Sequence, residues 1–174
     1  MAHARAHALL FLALFAPACQ AIDTEARSSF PLQGAWRLVA IEYVAADGRA
    51  TAGTPQESLF LFADGRYSMG YSHHPARSPR FAAPFSPTEA ERRERFSALV
   101  TNAGRYHLTD SRLVLRPEFA LYPSVIDSET RIGVGVSGDT ATLTYVDQRT
   151  ADGVADPYYE GGAKYVLRLV RLRE

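Results

Sequence analysis

Asp64-Gly65 is the tightest local constraint in this chain. It separates two short runs, Ser58 to Ala63 and Arg66 to His73. A two-residue type I′ turn needs positive φ at both central positions, and Asp-Gly tolerates it, so the runs are predicted to pair as a hairpin. The same grammar repeats along the chain. Predicted strands at about 34–45, 105–108, 113–117, 129–136, 141–146 and 163–172 join the two runs to give eight. Asp47-Gly48, Thr109-Asp110-Ser111 and Ser137-Gly138-Asp139 supply the tight turns, and Thr51 to Gln56 reads as a loop. Short strands at this spacing make an antiparallel sandwich or barrel.

One helix interrupts the strands. Ser86-Pro87-Thr88-Glu89 reads as its start, with Ser86 as N-cap, Pro87 at N1 and Glu89 completing a capping box. It is predicted to run to about Thr101 and to stop at Asn102-Ala103-Gly104. Phe96, Leu99 and Val100 would form its apolar stripe, with Glu91, Arg92, Glu94 and Arg95 toward solvent.

The ends and the charge balance narrow the class. Ala8 to Phe15 is an apolar run after Arg5, and Ala16-Pro17-Ala18 offers a small-x-small cleavage site. The run is well short of the roughly 20 residues that span a bilayer. Residues 1–21 therefore read as a signal peptide, 22–31 as a linker arm and 32–174 as one domain. Export to the periplasm or the medium follows. The sole cysteine, Cys19, sits where a lipid anchor is attached in bacterial lipoproteins, although Ala16 stands where those signals usually carry Leu. One reading lipidates Cys19 and makes an outer-membrane lipoprotein. The other leaves it incidental. With 19 basic and 19 acidic residues there is no basic excess for nucleic acid, so none is expected as a partner. Any contact with a membrane would run through the anchor alone.

The run from Arg66 to His73 alternates, so Tyr67, Met69, Tyr71 and His73 share one face. If the sheet closes, these apolar bodies with polar tips point inward. Tyr145 shares the face of Ala141 and Leu143 and would join them. A largely apolar cavity with a few polar tips is the usual composition of a ligand site, whereas a filled barrel would bond the same hydroxyls to one another. Tyr122 and Tyr158-Tyr159 lie on the longer loops, placed for a gate or a partner contact.

The ordered series Leu32-Gln33-Gly34-Ala35-Trp36-Arg37, Phe62-Ala63-Asp64-Gly65-Arg66-Tyr67, Ala103-Gly104-Arg105-Tyr106 and Ser137-Gly138-Asp139-Thr140 resembles the bacterial lipocalin-like domain family, a branch of the calycin-type barrels. The resemblance spans residues 32–172. It implies an all-β fold, an eight-stranded antiparallel up-and-down β-barrel with one short helix, and a general capacity for small apolar ligands. It also implies that Gly34 and Trp36 mark the closed base. There the tryptophan would pack against an arginine from the last strand: Arg168, Arg171 or Arg173, with Arg171 the first choice.

The chemistry-bearing residues give no catalytic motif. His73 and His74 point to opposite faces of a regular strand, so they cannot chelate one metal, and no metal or other cofactor is expected. Glu118, Asp127 and Glu129 lack a partner at a recognisable spacing. No Gly-x-Ser-x-Gly elbow occurs. The expectation is a small hydrophobic or amphipathic ligand bound at Tyr67, Met69, Tyr71, His73, Tyr145, Tyr122 and Tyr158. The alternatives are an isomerase or cyclase using the same cavity, with His73 first in line as its titratable group, and a filled-barrel interaction module.

Overall fold

The computed structural model describes residues 30–73, 78–109 and 112–173. The expected signal peptide, Cys19, most of the 22–31 arm and His74 lie outside the described residues.

The strands are β1 (Gly34–Val44), β2 (Ala50–Gly53), β3 (Ser58–Ala63), β4 (Arg66–Ser72), β5 (Leu99–Thr109), β6 (Arg112–Ala120), β7 (Glu129–Ser137), β8 (Thr140–Arg149) and β9 (Lys164–Arg171), with α1 (Glu89–Ala98) between β4 and β5. From β3 to β9 each strand pairs antiparallel with the next, and β1 pairs with both β3 and β9. That last pairing closes a barrel of eight strands. The ninth, β2, lies where a loop was expected. It exists because β1 outruns β3: β3 covers only Gly34 to Trp36, leaving the edge from Ile41 to Val44 for residues 50–53. Exposed backbone N–H and C=O groups on that edge are satisfied by the short ribbon.

Period-two alternation sets which side chains face the interior. Phe60 and Phe62 of β3, Tyr67 and Met69 of β4, Leu143 and Tyr145 of β8, and Leu167 and Leu169 of β9 are all buried, while Leu59, Leu61, Arg66 and Arg168 on the opposite faces are exposed. Burial of each large apolar side chain contributes about 1.5–3 kcal/mol. Asp64 (φ 46°) and Gly65 (φ 76°) both adopt positive φ, as the hairpin requires.

The helix differs from expectation at both ends. Two frames in the sequence satisfy the capping-box spacing, Ser86/Glu89 and Thr88/Glu91. The second is used: Glu91 N–H donates to Thr88 Oγ1 (3.2 Å), and Thr88 N–H donates to Glu91 Oε2 (2.7 Å). Glu91 Oε1 also accepts from Ala82 N–H (2.9 Å), which ties the preceding loop to the helix and favours this frame. At the other end α1 stops at Ala98, and Leu99, Val100 and Thr101 pair along β4. The spacing of Phe96, Leu99 and Val100 suits a helix, but a β-branched pair beside an open strand edge is taken by the sheet. Gly104 is therefore not a helix stop. It sits at a β5–β6 bulge, where a Cβ would run into the Arg116 carbonyl oxygen and lie 2.8 Å from Pro117 Cα.

The expected turn at Asp110-Ser111 lies outside the described residues, while the tight turns at Asp64-Gly65 and at Gly138, between β7 and β8, gather at one end of the barrel. Trp36 is fully buried there. Its Nε1–H donates to the Leu32 carbonyl (2.7 Å), and the Arg171 guanidinium lies 4.1 Å above its ring. Arg171 also donates to the carbonyls of Gln33 (2.5 Å) and Pro31 (3.1 Å). Gly34 (φ 113°) gives that guanidinium room, since a Cβ would come within 3.0 Å of it. Phe30 stacks on Tyr106 (4.4 Å) and seals the rim of this base. All the long connections lie at the opposite end.

Candidate functional site

The opposite end is hollow. A cavity of about 330 Å³ enters the barrel there, with His73, just after β4, at its mouth and Tyr71, Met69 and Tyr67 of β4 running down its wall to the floor. Tyr145 of β8 faces them, with Tyr165 and Leu167 of β9 beside it. Leu115 and Pro117 of β6 complete the deep part. Tyr122 and Tyr158 reach the mouth from their loops, as does Asp156. The structure thus brings all seven expected side chains to one cavity.

The hydroxyls in it differ in how far the protein satisfies them. Tyr67 donates to Asn102 Oδ1 (2.8 Å), and both residues are buried. Tyr145 donates only to the Met69 thioether sulfur (3.5 Å), a weak acceptor. The Tyr71 and Tyr159 hydroxyls make no hydrogen bond among the described residues, and both line the cavity. Burial disfavours a phenolate, so the Tyr71 hydroxyl is pushed up to about 12. Tyr67, Tyr145 and Tyr159 are pushed further up, again chiefly by burial. Every one is a neutral donor at ordinary pH.

Aromatic contacts shape the mouth. Tyr158 stacks on Tyr165 (5.5 Å between centroids) and meets Tyr43 edge-on (5.5 Å). His73 sits edge-on to Tyr71 (5.3 Å), and Tyr122 meets Phe96 of α1 edge-on (5.2 Å), so the helix borders the opening. The loop carrying Tyr158 is fixed to the barrel. Asp156 N–H donates to the Gln148 carbonyl (2.8 Å), and Tyr158 N–H donates to Asp156 Oδ1 (2.9 Å).

Residues 33–154, well over half of the chain, match the family described as the lipocalin-like domain. The chain belongs to that family. A solved lipocalin-like protein from Bacteroides uniformis ATCC 8492 is 16% identical, with 82% of this chain and 100% of that chain covered at a TM-score of 0.38. No curated protein matches.

Within this lipocalin-like domain, the family match stops short of the Tyr158-Tyr159 loop and β9. Sequence reasoning passed over Tyr165, Asn102, Gln148 and Thr130, which also line the cavity. Tyr165 carried a usable signal, because it alternates with Leu167 and Leu169 as Tyr145 does with Leu143. Asn102 was hidden by its expected place at a helix stop. The other candidates lie elsewhere. Glu118 and Glu129 are on the outer face, where hydrogen bonds from Arg105 and Arg66 to the first, and from Arg116 and Arg131 to the second, hold both carboxyls below the usual range. His107 is exposed on the outside of β5. Among the described residues no group of three or more His, Cys, Asp or Glu could hold a metal ion.

A larger cleft, about 630 Å³, lies outside the barrel between α1 and the loop before it. Its buried edge is an internal polar network rather than a row of spare groups. Arg95 pairs with Glu57 (2.9 Å), and Ser78 donates to the same carboxylate (2.7 Å). The Ser78 contact, then that of Arg95, holds the Glu57 carboxyl low against the opposing effect of burial. Arg95, expected toward solvent, is thus half-buried, whereas Phe96 of the expected apolar stripe is half-exposed.

Proposed function

We propose that this lipocalin-like domain binds a small apolar or amphipathic molecule inside the open end of its barrel. The observation that carries the reading is the hollow itself, about 330 Å³ lined by apolar bodies and phenol tips. An engineered apolar cavity of about 150 Å³ in another protein binds benzene, so this one has room for a one- or two-ring molecule. A space that size exceeds what a few waters fill, which speaks against a filled-barrel module. The lining supports binding over the isomerase or cyclase alternative, since below the mouth it consists of apolar groups, hydroxyls and amides, with the one carboxylate and the one histidine at the rim. Affinity would come from apolar burial at roughly 25 cal/mol per Å². Export remains part of the proposal, with Cys19 either incidental or lipidated, the latter being the sole link to a membrane. Mass spectrometry of the mature N-terminus tests both.

Titration with N-phenyl-1-naphthylamine, an uncharged fluorescent probe, tests the binding site. The expected result is saturable enhancement at one site, retained and tightened in Tyr71→Phe and Tyr145→Phe, because each removes from the wall a hydroxyl that this probe leaves unpaired. No enhancement, with both variants indistinguishable from the parent, overturns the proposal.

A further inference from the structure

The polarity of the cavity is one-sided. Among the described residues lining it, none is Arg or Lys. Its one carboxylate, Asp156, and its one histidine, His73, both stand at the mouth. The rest of the wall is furnished with donors. The Tyr71 and Tyr159 hydroxyls make no hydrogen bond among the described residues, and Tyr145 spends its proton on a thioether. Asn102 gives its carbonyl oxygen to Tyr67, which leaves its amide N–H groups as further donors.

An anion would enter this space with no Arg or Lys to meet it. Stripped of water and passing a carboxylate at the rim, it would have to be neutralised first. A hydrocarbon would bury well but leave the phenols facing apolar surface. A neutral oxygen acceptor satisfies them. The wall is also aromatic: Tyr71, backed by the buried Phe60 at 6.0 Å, lines it, and Tyr158 and Tyr165 stack near the mouth. Flat rings gain from offset or edge contacts with such walls.

Resting on the binding reading above, we propose that the ligand class is an uncharged aromatic molecule bearing a carbonyl oxygen, which accepts hydrogen bonds from Tyr71 and Tyr159. Tyr145, freed from the Met69 sulfur by a side-chain rotation, is the third donor within reach.

Three probes of one ring system separate the possibilities: naphthalene, 2-acetylnaphthalene and 2-naphthoate, titrated by calorimetry at neutral pH. The ketone should bind roughly tenfold or more tighter than naphthalene, the yield of one or two hydrogen bonds to otherwise spare donors. The carboxylate should bind more weakly than the ketone, and should gain affinity as pH falls through its own carboxyl range. In the double variant Tyr71→Phe/Tyr159→Phe, the ketone's advantage over naphthalene should vanish while naphthalene binding persists. Equal affinities for ketone and naphthalene, or a carboxylate that binds best, would overturn the assignment and leave the cavity reading standing. Failure of all three probes to bind would overturn the cavity reading and this assignment with it.

Discussion

Tyr145→Phe distinguishes a hydroxyl kept for a ligand from one kept for the fold. Tyr145 is only 8% exposed, and its hydroxyl donates to Met69 Sδ at 3.5 Å. A satisfied hydrogen bond contributes about 1 kcal/mol net, but a thioether is a poor acceptor. Burying a hydroxyl that is poorly paired costs about 1–3 kcal/mol. The two effects nearly cancel or favour the variant, so Tyr145→Phe should leave stability unchanged or raise it by up to about 1 kcal/mol. In a domain of this size that is a rise in Tm of about 2–4 °C or less. Tyr67→Phe is the internal comparison. Its hydroxyl donates to Asn102 Oδ1 at 2.8 Å with both residues buried, so removal strands an acceptor and should cost about 1–3 kcal/mol. Urea unfolding of both variants at matched m-values measures the difference. A loss of more than about 1 kcal/mol in Tyr145→Phe would show that the hydroxyl is a structural bond, and the reasoning about spare donors would fail.

Gly104→Ala should destabilise by about 1–3 kcal/mol or more, because its Cβ meets backbone of β6 that cannot yield. Gly133→Ala, whose nearest neighbour would be Thr144 Cβ at 3.7 Å, is the neutral control in the same unfolding assay. Arg171→Met should cost about 1–3 kcal/mol by removing the stack on Trp36 and two carbonyl contacts. The emission of Trp36, the single tryptophan, should report it, with Arg168→Met silent. Alkali should weaken the fold from the inside. Unfolded phenols ionise near pH 10, whereas burial raises Tyr67, Tyr71, Tyr145, Tyr159 and Tyr165 in the folded chain. Their contribution is complete below about pH 10 and is lost as pH climbs from there through the folded values, about 12 for Tyr71. Phenolate absorbance should lag behind that of the denatured chain, and Tyr71→Phe should flatten the alkaline fall in stability. Coincident titration of folded and denatured protein would contradict the burial.

The sequence was most legible where a single residue type has one physical use. Asp64-Gly65 can hardly be anything but a hairpin turn, and alternation in β4 placed Tyr67, Met69, Tyr71 and His73 on one wall. Legibility failed where two local solutions were equally good. Ser86/Glu89 and Thr88/Glu91 both satisfy a capping box, and only the Glu91 contact with Ala82 separates them. Leu99 and Val100 fit a helix stripe and a strand alike until the free edge of β4 is present. β2 carries no pattern at all in Ala50-Thr51-Ala52-Gly53, because its pairing is dictated by the excess length of β1. The cavity itself is a property of closure. Tyr145 and Tyr165 come side by side only through the β8–β9 register, and Tyr158 joins them only through the cap at Asp156.

Filling the hollow tests the central claim most directly. Val100 lines the cavity and is half-buried, so Val100→Trp places an indole in the ligand's space without opening the core. N-phenyl-1-naphthylamine should bind the parent protein at a single saturable site, and Val100→Trp should abolish that binding while its unfolding transition stays cooperative. A folded Val100→Trp protein that binds the probe as well as the parent would place the site outside the barrel and contradict the account.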